Sequence, residues 1–228
     1  MHKIHFDEID STNNFAKEKI GTEEFIHGTL ITATKQTGGR GRHGNSFYSE
    51  GGLYMTVMLD SRNPDYPFTM AAAVAVRDAL IQTVGINTNI KWVNDLFYNS
   101  KKVCGILTET KFSDDENKGF VCGIGINTSK AIIPEYLSDI AGTVPYDYDI
   151  EQLAELIADK LIFMYENDIN PLEKYRAGLI INVPVDVYSN GKFLYSGTAV
   201  DINEAGNLIV ITNNETKILN SGEISIKL

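Results

Sequence analysis

Residues 91–107 read Lys91-Trp92-Val93-Asn94-Asp95-Leu96-Phe97-Tyr98-Asn99-Ser100-Lys101-Lys102-Val103-Cys104-Gly105-Ile106-Leu107. Lys91-Trp92 closes a short strand begun at Ile90, Asn94-Asp95 makes a polar turn with one carboxylate, and Asn99-Ser100 turns a hairpin whose return strand covers Val103–Thr110. The hairpin carries Lys101 and Lys102 back towards the Asn-Asp turn. A lysine on a strand edge beside that turn has the chemistry to neutralise a carboxylate or phosphate, with Asp95 free to hold Mg²⁺. Lys101 reads first as a solvated hairpin charge, whereas strand alternation turns Lys102 to the other face and favours the functional reading there. Trp92, the only tryptophan of the chain, reads as core.

Working outward from the hairpin, Gly119–Ile126 is a further strand, and it runs into Val121-Cys122-Gly123-Ile124-Gly125-Ile126-Asn127. Gly123 and Gly125 either thin that strand for a planar ligand or mark a bulge, and Asn127 offers an amide able to read an adenine edge. Upstream, Pro67 to Val84 has the alanine-rich pattern of a buried helix, Leu53–Leu59 reads as a strand, and Gly28–Thr34 as another rich in β-branched residues. Ser11 and Thr12 precede a short capped helix. On the far side, Glu151–Tyr165 spaces Leu153, Leu156, Ile157, Leu161 and Met164 as one helix face. Beyond Asn182 the pattern changes to short strands separated by Asn190-Gly191, Ala205-Gly206, Asn213-Asn214 and Ser221-Gly222, as in a small closed or half-open barrel. A boundary near Ile181 therefore divides the chain into residues 1–181 and 182–228.

Between the first two long strands, Gln36 to Gly52 reads as a long glycine-rich loop, and loops of such length are usually functional. From Lys35 to Ser49 it contains no acidic residue, while Lys35, Arg40, Arg42 and His43 are basic or can become so. Interleaved glycines bring backbone N–H groups close to a ligand, and two arginines can clamp an anion. Gly39-Arg40-Gly41-Arg42-His43-Gly44 matches the G-x-G-x-x-G dinucleotide fingerprint literally, yet no helix begins there, so a Rossmann reading fails its context. No P-loop motif occurs.

This basic loop stands out because the 228-residue chain has 30 acidic against 20 basic side chains and a net charge of −10. Such an excess argues against a duplex DNA binder, which needs a basic face to replace condensed counterions. Hydrophobic residues at 43% and charged ones at 22% describe an ordinary folded chain, not a disordered one. No signal peptide or membrane-length apolar run is present, so a cytoplasmic protein with no membrane partner is expected. The two cysteines, Cys104 and Cys122, read as buried free thiols.

In their order, Ser11-Thr12-Asn13, the Gly-Arg-Gly-Arg-His-Gly loop, Lys-Trp-Val-Asn-Asp-Leu with its Lys-Lys-Val-Cys-Gly-Ile-Leu hairpin, and Gly-Ile-Asn resemble biotin protein ligases. The hallmarks of that family are a GRGRxG loop and a KWPNDL-x-x-x-x-KK-x-x-GIL segment, and the resemblance runs from about residue 4 to the end. It implies an α+β fold: a mixed β-sheet flanked by helices, like the class II aminoacyl-tRNA synthetase core, followed by an SH3-like β-barrel containing Gly222-Glu223-Ile224-Ser225. Two departures stand out, since Val93 replaces the usual proline and Phe47 replaces a tryptophan that often follows the loop.

The resemblance also implies a reaction with ATP, Mg²⁺ and biotin. The biotin carboxylate attacks the α-phosphorus to give biotinyl-5′-AMP, and a lysine of a biotin carboxyl carrier domain in a carboxylase or decarboxylase then takes the biotin. Carried over by position, Ser11, Thr12 and Asn13 would contact the ureido ring and Gln36 would lie along the bicycle. Arg40, Gly41 and Arg42 would form the closing loop, with Arg42 retaining the adenylate. Lys102 would bind the reacting carboxylate and α-phosphate, Asn94 and Asp95 would position phosphate and metal, and Asn127 would face adenine. Lys102 and Arg42 would be the catalytic pair, without any covalent enzyme intermediate. Lipoate ligases share this chemistry, but the anion loop and the Ser-Thr-Asn segment favour biotin. A non-catalytic biotin regulator would be expected to lose Arg42 or Lys102. With Ser11 so near residue 1, a preceding winged helix and a DNA partner are not expected, and a homodimer stays open.

Overall fold

A computed structural model describes residues 1–113, 116–145, 147–189, 191–213, 215–221 and 224–227. Seven strands form the main sheet: β1 (Lys3–Ile9), β2 (Leu30–Gln36), β3 (Ser49–Leu59), β4 (Asn89–Lys91), β5 (Asp95–Tyr98), β6 (Lys101–Ser113) and β7 (Glu116–Ile126). Their order across the sheet is β1-β2-β3-β7-β6-β5-β4. β1 and β2 run parallel and the remaining neighbours antiparallel, so the sheet is mixed as expected.

Alternation sorts the strands between two cores. Leu53, Met55, Val57 and Leu59 of β3 face the larger one, beneath α2 (Phe68–Val84) and α3 (Ile150–Glu166). Met58 of β3, Ile31 of β2 and Val121 of β7 face the other side, where Ala16 and Ile20 of the α1 region (α1, Thr12–Lys19) cover them. The alanines of α2 (Ala71, Ala72, Ala73, Ala75, Ala79) are fully buried, which lets the helix lie close to the sheet. Gly85 ends α2 in the left-handed region at φ 70°, its N–H returning to Ile81 O. At the start of α3, Asp149 accepts from the N–H groups of Glu151 and Gln152 at 3.0 and 3.1 Å.

The C-terminal strands are β8 (Val183–Ser189), β9 (Lys192–Ile202), β10 (Leu208–Ile211), β11 (Thr216–Leu219) and β12 (Ile224–Lys227). They form a separate antiparallel sheet in the order β11-β10-β9-β8-β12, an open form of the expected small barrel. Val185, Val187, Ala199, Leu208 and Val210 bury their side chains continuously with the main core. Trp92 ties the two sheets through Nε1, which donates to Gly206 O at 3.0 Å. A second tie comes from Arg176, on α4 (Leu172–Arg176), whose Nε lies 3.2 Å from Asp201 Oδ1. Of the expected turn residues, Asn190, Asn214, Gly222 and Glu223 lie outside the described residues.

Some boundaries differ from the sequence expectation. β1 and α4 carry no clear sequence signal, and β2 begins at Leu30 instead of Gly28. The expected loop from Gln36 to Gly52 ends sooner, because Ser49 and Glu50 already pair with Gln36 and Lys35 across a bulge. Within the shortened loop Arg40 bridges Ser46, and Arg42–Gly44 make a 3₁₀ turn, so the glycines fold locally instead of hanging free.

Candidate functional site

A cleft of about 1020 Å³ opens over the α1 side of the sheet, beneath the glycine loop. Ser11, Thr12, Asn13, Gln36, Arg40, Gly41, Arg42, Asn94, Asp95, Lys102 and Asn127 all line it. Segments far apart in the chain are thus brought to one place.

At one end the start of α1 supplies polar groups held by a hydrogen-bonded web. Ser11 caps the helix by accepting from Asn14 N at 3.4 Å. Gln36 Oε1 accepts from Thr12 N at 2.9 Å, and Gln36 Nε2 donates to Ser49 Oγ at 3.2 Å. The Thr56 hydroxyl lies 2.8 Å from that of Thr12 and 2.7 Å from Asn13 Oδ1. Asn13 Nδ2 donates to Leu107 O at 3.1 Å and to Glu109 Oε2 at 2.9 Å. These buried polar groups would be costly without partners, and their mutual bonding makes this end rigid.

The other end is charged. Lys102 Nζ lies 2.7 Å from Asp95 Oδ1, and its turn away from Lys101 follows the strand alternation. Lys101 is exposed on the hairpin, as its solvated reading expects, and its amine donates to Ser138 O at 2.7 Å. Arg42 donates to Ser221 O, between β11 and β12, and reaches Asn94 Oδ1 at 3.5 Å. Burial pulls the Arg42 guanidinium down from its ordinary value and the Asp95 carboxylate opposes that pull. Arg40 donates to Asn14 Oδ1. The side chain of His43 lies outside the described residues. Asn94 is itself fixed, its Nδ2 donating to Ile106 O at 2.9 Å after the cis Trp92–Val93 peptide.

Between the two ends the floor is bare backbone. Gly105 pairs with Gly125 and Leu107 with Gly123 across β6 and β7. The Phe47 ring lies on this strip: a Cβ at Gly125 would come within 2.6 Å of it. Lys102 Nζ sits 5.9 Å from the centre of the same ring. Asn127 is 7% exposed and donates Nδ2 to Gly142 O at 2.9 Å.

For a metal, the donor set is thin. Among the described residues no group of three His, Cys, Asp or Glu side chains is placed to hold an ion. One carboxylate beside two cations fits Mg²⁺ arriving on a triphosphate, which supplies most of its ligands, and does not fit a resident metal. Cys104 and Cys122 are fully buried, burial raising both thiols and Cys122 to about 12, so neither is a nucleophile at neutral pH.

Several residues that shape the cleft carry no motif. Thr56, Ser49 and Glu109 hold the polar end, and the buried Tyr175 donates to Val93 O at 2.8 Å behind Asn94-Asp95. Their signal is spatial, and only the strand register and the α4 packing bring them to the site.

Residues 5–127 match the model of the Biotin/lipoate A/B protein ligase family, and residues 180–227 match the Biotin protein ligase C terminal domain. The chain is similar to the bifunctional ligase/repressor BirA of Bacillus subtilis, at 31% identity over 99% of this chain and 74% of that protein. It is also similar to a biotin–[acetyl-CoA-carboxylase] ligase of Mycobacterium tuberculosis, at 27% identity over 94% of this chain and 85% of that one. Among solved structures, the biotin protein ligase from Aquifex aeolicus in complex with biotin and ATP superimposes with a TM-score of 0.84. That pair shares 27% identity and covers 99% of this chain and 98% of the other.

Proposed function

Because the chain belongs to the Biotin/lipoate A/B protein ligase family, we propose that it joins biotin to ATP as biotinyl-5′-AMP and then passes biotin to a lysine of a carrier domain. The observation that carries this reading is one cleft lined by the uncharged polar side chains of Ser11, Thr12, Asn13 and Gln36 at one end and by Arg42, Lys102 and Asp95 at the other. A small uncharged ring with N–H and C=O groups suits the first end, and two meeting anions suit the second. The second matched region belongs to biotin ligases by its description, which favours biotin over lipoate.

In the first step a carboxylate oxygen forms a bond to the α-phosphorus while the bond to pyrophosphate breaks. Both reactants are anionic, so their approach needs concentrated positive charge and fixed alignment. Lys102 supplies that charge on leaving Asp95, and Arg42 on leaving the Ser221 carbonyl; each cation exchanges a protein acceptor for a ligand oxygen. Asn94 and Asp95 position the phosphates, and bound Mg²⁺ would supply further neutralisation there. Asn127 Oδ1 would accept from the adenine amino group. Ser11, Thr12, Asn13 and Gln36 would hold the ureido ring, with Arg40 and Gly41 in the covering loop. In the second step the neutral ε-amine of the carrier lysine attacks the acyl carbon, the acyl–phosphate C–O bond breaks, AMP leaves with the electron pair, and the nitrogen sheds one proton to solvent to leave the amide. An acyl adenylate hydrolyses in water, so a loop that covers it serves the reaction.

The partner is a biotin carrier, and we assign it as the biotin carboxyl carrier domain of a carboxylase or decarboxylase. We place the catalytic unit at 1–181 and the small C-terminal unit at 182–228. Among the described residues no helix is long and apolar enough to cross a membrane. The test is ATP–pyrophosphate exchange: exchange that requires biotin, and disappears in Lys102→Ala, is expected. Exchange that proceeds with lipoate and not with biotin would overturn the substrate, and normal exchange in Lys102→Ala would overturn the role of Lys102.

A further inference from the structure

Asn13 sits over Gly123 with its amide bonded on both sides. Gly123 lies in register with Thr56 on β3 and with Leu107 on β6, and these two residues grip the amide from opposite edges. Glu109, two residues along β6 on the same face as Leu107, completes the grip by accepting from Nδ2 at 2.9 Å. Lys17, one turn along α1 from Asn13, holds the other carboxylate oxygen at 2.6 Å. A carboxylate and a backbone carbonyl both accept and neither can donate. Turned over, the amide would press its oxygen against those two acceptors and its NH₂ against a hydroxyl that is also needed by Thr12. The amide therefore has one permitted orientation. In it both N–H groups are used, and Oδ1, bonded once to Thr56, keeps a lone pair with no second donor among the described residues.

We propose that Glu109 is a positioning residue that fixes Asn13 as a hydrogen-bond acceptor in the cleft, with Lys17 holding Glu109, so that the site selects a ring presenting an N–H donor. The inference rests on the biotin reading of the site and deepens it. A ureido ring has such donors, while the dithiolane ring of lipoate has none. A site built to bond an N–H discriminates against a ring lacking it, because the remaining lone pair of the buried acceptor then has no donor.

The test is steady-state ATP–pyrophosphate exchange on the full chain, with biotin and then lipoic acid as acid substrate. In Glu109→Ala the biotin KM is expected to rise about tenfold, with the ATP KM within about twofold of the parent. The preference for biotin over lipoic acid in kcat/KM should shrink by about the same factor. Glu109→Gln keeps an acceptor oxygen and should recover most of the loss, and Lys17→Ala should raise the biotin KM by about threefold. A purely structural role would raise both KM values or lower the melting temperature without touching the preference between acids. A biotin KM within twofold of the parent in Glu109→Ala, or a proportional rise in the ATP KM, would overturn the proposal. Should Glu109→Ala not fold, Lys17→Ala decides by the same split. Parent protein that exchanges with no biotin dependence would instead refute the biotin reading on which the proposal stands.

Discussion

Gly123→Ala places a methyl group directly beneath Asn13. A Cβ built on Gly123 would lie 2.3 Å from Asn13 Oδ1, 2.7 Å from Cγ and 2.8 Å from Nδ2. Ordinary contact needs roughly 1 Å more, so the amide must retreat by about that distance. Its hydrogen bonds now span 2.7 to 3.1 Å, and such a shift carries them to or past the limit of useful geometry. Neither strand neighbour can follow, since Thr56 and Leu107 are fixed in the ladder on either side. Two or three hydrogen bonds at about 1 kcal/mol each put the stability loss near 2–3 kcal/mol, or a melting point lower by roughly 5–10 °C for a chain of this size. Displacing a substrate-orienting group by ~1 Å should raise the biotin KM by about 10–100-fold. Exchange kinetics over a biotin series at saturating ATP, with thermal unfolding of the same samples, measure both quantities. A variant with the parent's biotin KM would refute the reasoning, and most sharply so if its melting point had fallen as expected.

Further outcomes follow from other parts of the site and from the remote charges. Arg42→Gly should let biotinyl-AMP escape and label bystander lysines on an unrelated protein; labelling that stays strictly carrier-dependent would contradict its retaining role. Tyr175→Phe removes the donor to Val93 O from a fully buried position and should cost about 1–2 kcal/mol while raising the ATP KM more than the biotin KM. Equal changes in both KM values would argue against its link to Asn94-Asp95. Burial works to raise the Asp60 carboxyl, but Arg62 donating to both oxygens and the Tyr165 hydroxyl hold it down at about 2. With its folded value below the unfolded one, Asp60 adds stability that is complete above about pH 4 and is lost as the pH falls through about 2. Thermal melts between pH 5 and 2 should therefore decline less steeply in Asp60→Asn, and parallel curves would rule the contribution out.

The fold was legible where residue pattern and burial agree. The Asn99-Ser100 turn is marked by its residues, both of which adopt positive φ, and the apolar spacing of α3 marks its buried face. β1 was hidden because it is an edge strand whose Ile4, Phe6 and Ile9 are only half buried among charged and histidine neighbours. The start of β3 was hidden because Ser49-Glu50-Gly51-Gly52 has turn composition. Gly51, at φ 76°, is placed so that a Cβ would meet Lys130 O at 2.3 Å, a close approach that composition cannot reveal. In the cleft, charged and glycine-rich motifs announced themselves. Thr56, Glu109 and Tyr175 did not, because each acts through a partner distant in sequence, and one residue of ordinary type on a strand or helix leaves no local trace.

The most direct measurement is transfer itself. The full chain, ATP, Mg²⁺ and labelled biotin are incubated with a biotin carrier domain, and in parallel with a lipoyl carrier domain and labelled lipoate. Covalent label on the biotin carrier, dependent on ATP and on Lys102, is the expected result. No label on any biotin carrier, together with brisk labelling of the lipoyl carrier, would contradict it.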